Sequence, residues 1–293
     1  MRAWRVLLAL VALLPLAAAA EALRVTDDGG DTVALDAPAE RIVSLAPNIT
    51  ETLFEAGAGD RIVATVNHSD YPPEAEEIPR IGGYDRLDLE AILAAEPDLV
   101  VGWISGNPSS QIERLRELDV PVYMSEARRP GDVAQTLEDL GQLAGTAAAA
   151  EAAAADFLAR FETLRGLHGG RDPVPLFYQI WNDPLMTVND EHLISAVIQG
   201  CGGDNVFGDL SALAPRIDTE AVLARDPEVI LASGMDEERP EWLDDWRDWP
   251  ELQAVERDNL FFIPPDIIQR QSVRILDGME RLCAQLQQAR DRR

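Results

Sequence analysis

Three aromatic residues follow short apolar runs: Tyr71 after RIVATV (61–66), Trp103 after DLVV (98–101) and Trp181 after PLFYQI (175–180). A fourth, Tyr84, lies in the loop GGYDR (82–86). Polar and rigid residues stand beside them at similar points: Pro47 and Asn48 after RIVSL (41–45), His68, Ser69 and Asp70 just before Tyr71, and Asp266 and Arg270 after LFFIPP (260–265). Aromatic planes with a few placed polar groups suit the capture of a large, flat, partly apolar ligand, without any bond being broken. The stretch SDYPP (69–73) carries two prolines, which stiffen its backbone. It reads as a preset wall presenting Tyr71, with Ser69 and Asp70 capping the turn.

Other chemistries have little support. No G-x-S-x-G, P-loop or G-x-G-x-x-G occurs, so neither an activated serine nor a phosphate cradle is expected, and no catalytic residue is assigned. His68, His168 and His192 have no ligand spacing with cysteines or carboxylates, so no protein metal site and no resident cofactor is expected. His68 adjoins the candidate loop and could reach a metal carried by a ligand, as an axial or distal contact; His168 and His192 read as surface residues. Trp242, Trp246 and Trp249 read as packing, because the i, i+4 spacing of the first two suits one helix face.

These residues need a scaffold, and the chain announces one by repetition. DLEAILAAEPDLVV (88–101) and DTEAVLARDPEVIL (218–231) align without a gap at an offset of 130. In each, an aspartate can cap a helix, an apolar face follows, a proline stops it, and a short β-branched run comes next. Further strands and helices alternate on both sides, which implies parallel sheets. The fold class is therefore α/β: two lobes, each with a mostly parallel sheet flanked by helices. In such sheets ligands bind beyond the carboxyl ends of the strands, where the candidate residues stand. An Ala-rich, proline-free stretch between the repeats predicts one bridging helix over 131–168, on the order of 50 Å long. The divisions expected are an N-terminal lobe (23–130), the bridge, and a C-terminal lobe (169–293).

Residues 1–22 read as a secretory signal peptide: Arg2 and Arg5, an apolar run too short to span a bilayer, then small residues, with cleavage after Ala20 or Ala22. A net charge of −27, with every basic residue an arginine, excludes nucleic acid as a partner. In an exported protein the two cysteines, Cys201 and Cys283, suggest one disulfide; a metal pair is the alternative, poorly matched without a nearby histidine.

RIVSLAPNITETLFEAGAGDRIVAT (41–65), EPDLVV (96–101) and GCGGDNVF (200–207) resemble the helical-backbone class of periplasmic metal-chelate binding proteins, which includes haem and siderophore binders. SDYPP, the GW-x-x-GN turn (102–107) and the cysteine pair are similar to its cobalamin-binding branch. The resemblance covers nearly the whole chain beyond residue 22. It implies a monomeric periplasmic receptor that holds a corrinoid between its lobes and delivers it to a membrane ABC transporter permease. Haem or a ferric siderophore is the alternative ligand, and an enzyme on a two-lobed scaffold is a more distant one. Tyr71, Trp103 and the Pro47 loop match cleft-lining positions, and Tyr84 stands where the branch has a tryptophan. Ile267 and Ile268 replace an aromatic pair. Ser109 and Gln269 stand where surface glutamates would dock the transporter.

Overall fold

Asp88 and Asp218, the first residues of the two repeated units, each accept a hydrogen bond from a backbone N–H three residues on, at 3.0 and 2.8 Å. Those contacts satisfy donors that a helix start leaves unpaired. Each short helix ends before its proline and leads into a strand that begins with three buried Val, Ile or Leu residues, 99–101 and 229–231. The same helix–strand unit is thus built twice.

The computed structural model describes residues 22–234 and 238–293. The leader reading therefore lies almost wholly outside the described residues. The first part of the chain contains β1 (Leu23–Thr26), β2 (Thr32–Leu35), β3 (Ile42–Ser44), α1 (Pro47–Glu55), β4 (Ile62–Ala64), β5 (Gly82–Gly83), β6 (Arg86–Leu87), α2 (Leu89–Ala94), β7 (Leu99–Trp103), α3 (Ser109–Glu117) and β8 (Val122–Ser125). Then come α4 (Pro130–Ala144) and α5 (Ala147–His168). The second part contains β9 (Val174–Gln179), α6 (Leu193–Gly200), β10 (Gly203–Asn205), α7 (Thr219–Arg225), β11 (Val229–Ala232), α8 (Gln253–Glu256), β12 (Leu260–Phe262), α9 (Pro265–Ile268) and α10 (Ile275–Asp291).

The strand orders are β4-β3-β7-β8 and β10-β9-β11-β12, parallel throughout. Both sheets therefore have the order second, first, third, fourth. The repeated unit supplies the third strand of each, β7 and β11. Beside it, at β3/β7 and β9/β11, the winding reverses and the carboxyl ends leave a crevice. Both sheets are covered on both faces, as parallel sheets are. One core runs through β1, α1, α4, α5, α6 and α10 and is continuous between the lobes; two smaller clusters cover the outer faces.

The single helix expected over 131–168 is two helices. Alanine favours continuation, but Gly145 adopts a left-handed conformation (φ +67°), and the Thr146 N–H turns back to the Gly141 carbonyl at 2.7 Å. That contact closes helix α4, and α5 folds back against it. The two helices pack so closely that a Cβ on Gly141 would fall 2.2 Å from the Ala150 methyl. α4 lies on α1 and β1, while α5 reaches α1 on one side and α6 and α10 on the other. α5, with its 22 residues, runs between the lobes, a length of about 33 Å at the helical rise.

Candidate functional site

The strand ends of both sheets face one interlobe cavity of about 420 Å³. From the N-terminal side it is lined by Pro47, Asn48, His68, Asp70, Tyr84 and Trp103. From the C-terminal side come Trp181, Gly234, Pro265, Asp266, Gln269 and Arg270. Tyr84 and Trp181 stand at its mouth, 38% and 37% exposed. Tyr84 and Trp103 are tilted neighbours with centroids 6.1 Å apart. Trp181 is oriented by its indole N–H, which donates to the Asp183 carbonyl at 2.9 Å.

One buried amide holds three of the wall segments in place. Asn107 accepts the Trp103 backbone N–H at 2.7 Å and donates to the carbonyls of Leu45 and Tyr84, each at 2.9 Å. It thereby ties the end of β7 to the loop after β3 and to the β5–β6 turn. Gly106 is needed beneath the indole: a Cβ there would lie 1.9 Å from the Trp103 ring.

Arg270 forms the inner end of the cavity. Its guanidinium contacts Glu51 Oε1 at 2.7 Å, Asp266 Oδ1 at 2.9 Å, Asp70 Oδ1 at 3.0 Å and the His68 carbonyl at 3.1 Å. Burial works against its charge, but the attraction of Glu51, Asp266 and Asp70 outweighs this and raises its pKa above the ordinary arginine value. Glu51, on α1, is only 1% exposed at its side chain, and it also accepts Arg274 Nη1 at 2.9 Å and the Ser272 hydroxyl. Close by, Gln271 accepts the Ala127 N–H and donates to Glu126, each at 3.1 Å. Residues 270–274, which belong to the C-terminal lobe, are therefore clasped by the N-terminal lobe along their length. Glu51, Ser272, Arg274 and Gln271 are not among the candidates that the sequence offers, and Asn107 appears there only as part of the GW-x-x-GN turn. The pattern R-x-S-x-R at 270–274 and a carboxylate inside an otherwise well-packed helix were the available signals.

Two expected site residues do not face the cavity. Ser69 is fully buried and accepts hydrogen bonds from the Thr65 and Thr50 hydroxyls at 2.9 and 3.2 Å. With the chain pinned there, Tyr71 turns away from the cavity, and the Arg274 guanidinium lies 3.9 Å over its ring. Tyr71 lines instead a polar groove on the α5 side with Glu55, Asp156, Phe157 and Arg160. Asp70 does not cap the turn with its carboxylate; it pairs with Arg270.

The two isoleucines that replace the aromatic pair, Ile267 and Ile268, are buried in the core. Gln269 is half-buried beside the cavity, where its amide donates to Ser233 Oγ at 2.5 Å. Ser109 is exposed at the start of α3. His68 lines the cavity with an exposed side chain and a left-handed backbone (φ 65°). His192 is not a surface residue: it caps α6 through Nδ1, and burial, with Arg128 nearby, pushes its pKa down to about 4. Among the described residues no group of three or more His, Cys, Asp or Glu is placed to hold a metal ion. Trp246 is buried against Phe177 and donates to Gln179 at 2.8 Å, a packing role. Cys201 and Cys283 form a disulfide.

Residues 42–267 match the family model for periplasmic binding proteins. The chain is 36% identical over 250 residues to the vitamin B12-binding protein of Vibrio cholerae, covering 85% of this chain and 90% of that one. The crystal structure of the periplasmic vitamin B12 binding protein BtuF of Vibrio cholerae superposes with a TM-score of 0.78 at 35% identity, over 86% of this chain and 98% of that one. The fold, though no more than the fold, is also similar to the apo periplasmic haem-binding protein RhuT of Roseiflexus sp. RS-1, with a TM-score of 0.73 at 23% identity over 85% and 98% of the two chains. Two parallel α/β lobes around one cavity, and a family match spanning both of them, show that this chain belongs to the periplasmic binding protein family.

Proposed function

We propose that this protein binds cobalamin or a related corrinoid between its lobes and delivers it to the permease of an ABC importer. It would do so as a monomer in the periplasm, after loss of residues 1–22 by cleavage after Ala20 or Ala22. One observation carries the choice of ligand: the cavity is walled by aromatic rings, and the arginine among its described lining residues is already neutralised by three carboxylates. A haem with free propionates, or an anionic ferric siderophore, would find no spare cation among the described lining residues. A corrinoid whose rim carries neutral amides needs none. The vitamin B12-binding names of the relatives support the same reading.

Binding energy comes from covering the rings, at about 25 cal/mol per Å² of apolar surface. The clasp at 270–274 already sets the lobes against each other, so little of that gain is lost to closure. A ligand larger than the cavity would project from its mouth and cover Tyr84 and Trp181. Titration with cyanocobalamin, followed by absorbance or calorimetry, is expected to give a one-to-one complex; no binding at high micromolar ligand would overturn the reading. His68, exposed in the cavity wall, favours haem as a second reading. A haemin titration with a defined Soret shift that is lost in His68→Ala would establish it.

Gly106→Ala tests the ring wall without touching a ligand-facing side chain. The new methyl must displace the Trp103 indole. Affinity for cyanocobalamin is expected to fall about tenfold, with a stability loss of about 1–3 kcal/mol from overpacking. Unchanged affinity would remove Trp103 from the binding surface.

A further inference from the structure

Gln269 brings to the C-terminal wall of the cavity an amide whose orientation is fixed. Its Nε2 donates to Ser233 Oγ at 2.5 Å and, at 3.4 Å, to the Gly234 carbonyl. A carbonyl oxygen can only accept, so the amide nitrogen and not the oxygen lies on that side. The anchor is itself held: Ser233 and Tyr178 are fully buried, and their hydroxyl oxygens are 2.5 Å apart. With Nε2 turned toward this buried pair, Oε1 is left on the other side of the amide. It receives no hydrogen bond among the described residues, and it is not one of their occluded unpartnered atoms. Gln269 as a whole is half-buried and lines the cavity, so Oε1 is an open acceptor at the wall. A structural tie between α9 and the end of β11 would use the nitrogen alone and leave the oxygen without a task.

We propose that Gln269 is a specificity-determining residue: its Oε1 accepts an N–H from a peripheral carboxamide of the bound chelate, and Ser233 positions it through Nε2. The proposal rests on the corrinoid-binding reading above and names a contact that selects among such chelates. Neighbouring groups act in the same direction. Asp266 stands three positions before Gln269, on the same side of the short helix α9, and its side chain is 22% exposed. Asp70, across the cleft, is 50% exposed, and one guanidinium, that of Arg270, holds both carboxylates. This end of the cavity therefore meets a ligand with acceptors. A primary carboxamide brings N–H donors to them. An ester brings only oxygens, and a carboxylate brings oxygens with negative charge, so each leaves Oε1 unpaired or opposed. A glutamate at 269 would not serve in the same way, because it would set an oxygen against the Gly234 carbonyl.

The test measures binding of two dicyano corrinoids that share one macrocycle, one with primary carboxamides at its rim and the other with methyl esters, beside cyanocobalamin as reference. The readout is the ratio of the first two affinities, which a general loss of stability does not move. Wild type is expected to prefer the amide form by about tenfold. Gln269→Met keeps the length of the side chain and removes both amide atoms. It should bind the amide form about three- to tenfold more weakly, as the loss of one hydrogen bond predicts, and the ester form within about twofold of wild type. Ser233→Ala, which frees the amide to turn, should lower the preference by a smaller factor. Equal affinity of wild type for the two forms would overturn the proposal. So would a preference in Gln269→Met within about twofold of the wild-type ratio, whether both affinities hold or fall together, since the residue would then be idle or purely structural. Wild type that binds none of the three corrinoids would instead overturn the underlying reading, and the proposal with it.

Discussion

Replacing Glu51 with alanine is expected to destabilise the protein by about 3–5 kcal/mol, the usual cost of breaking a buried ion pair from one side. Glu51 is 1% exposed and sits between two arginines from the other lobe, Nη1 of Arg270 at 2.7 Å and Nη1 of Arg274 at 2.9 Å. A unit-charge pair about 4 Å apart is worth roughly 4 kcal/mol at an effective dielectric of 20, so one carboxylate between two guanidinium groups carries a large share of the local balance. Arg270 would retain Asp70 and Asp266, but among the described residues Arg274 would keep only the face of Tyr71. That residual cation–π contact is worth on the order of 1–2 kcal/mol and does not replace the carboxylate. At this chain length the loss corresponds to a fall in melting temperature of roughly 10 °C, measurable by calorimetry. Glu51→Gln, which keeps hydrogen-bonding atoms but no charge, should fall in between. Because the cluster is buried, added salt should change the difference little. A melting temperature within about 2 °C of wild type in Glu51→Ala would mean that the clasp contributes little. Ligand affinity should drop as well, because the lobes would have to be ordered during binding.

The clasp also marks where reading the sequence stops. The two lobes were legible because every local cue in the repeat agrees. A capping aspartate, an apolar face, a stopping proline and a β-branched run are each found in place at 88–101 and 218–231. The cavity wall was legible by one geometric rule, that loops at strand ends in a parallel sheet converge. Pro47, Asn48, His68, Tyr84, Trp103, Trp181, Asp266 and Arg270 all line it. Tyr71 satisfied the same rule and still turned away. Its direction is set by the hydroxyl network that buries Ser69 and by Arg274, which comes from the far end of the chain; neither is visible in SDYPP itself. The pairing of Arg270 with Glu51 spans 219 positions, beyond any local pattern. The break at Gly145 was a contest between alanine propensity and a left-handed cap, and tertiary packing of α5 against α4 decided it. Lobes and loop positions follow from local chemistry; the facing of individual rings and the ties between lobes follow from distant partners.

Removing the disulfide, by Cys201→Ala with Cys283→Ala, is expected to cost about 4.5 kcal/mol in the C-terminal lobe. The bridge joins positions with a sequence separation of 82. Restricting a loop of that length in the unfolded chain accounts for the cost. Both sulfurs are buried, so the substitutions also leave a small void, which acts in the same direction. The bond joins the end of α6 to the middle of α10, the helix that continues directly from the clasp. Cys283 stands more than two turns into α10, so the clasp itself should keep its geometry in the folded variant. Affinity for cyanocobalamin at about 25 °C should therefore stay within about twofold, while stability falls. Urea unfolding followed by tryptophan fluorescence, to which Trp181, Trp242, Trp246 and Trp249 of this lobe all contribute, reads the loss. A larger m-value is expected as well, because the uncrosslinked chain exposes more surface on unfolding. A difference under about 1 kcal/mol would show that the reduced unfolded state is already as restricted as the oxidised one. A large loss of affinity in a folded variant would show instead that the bridge positions the clasp.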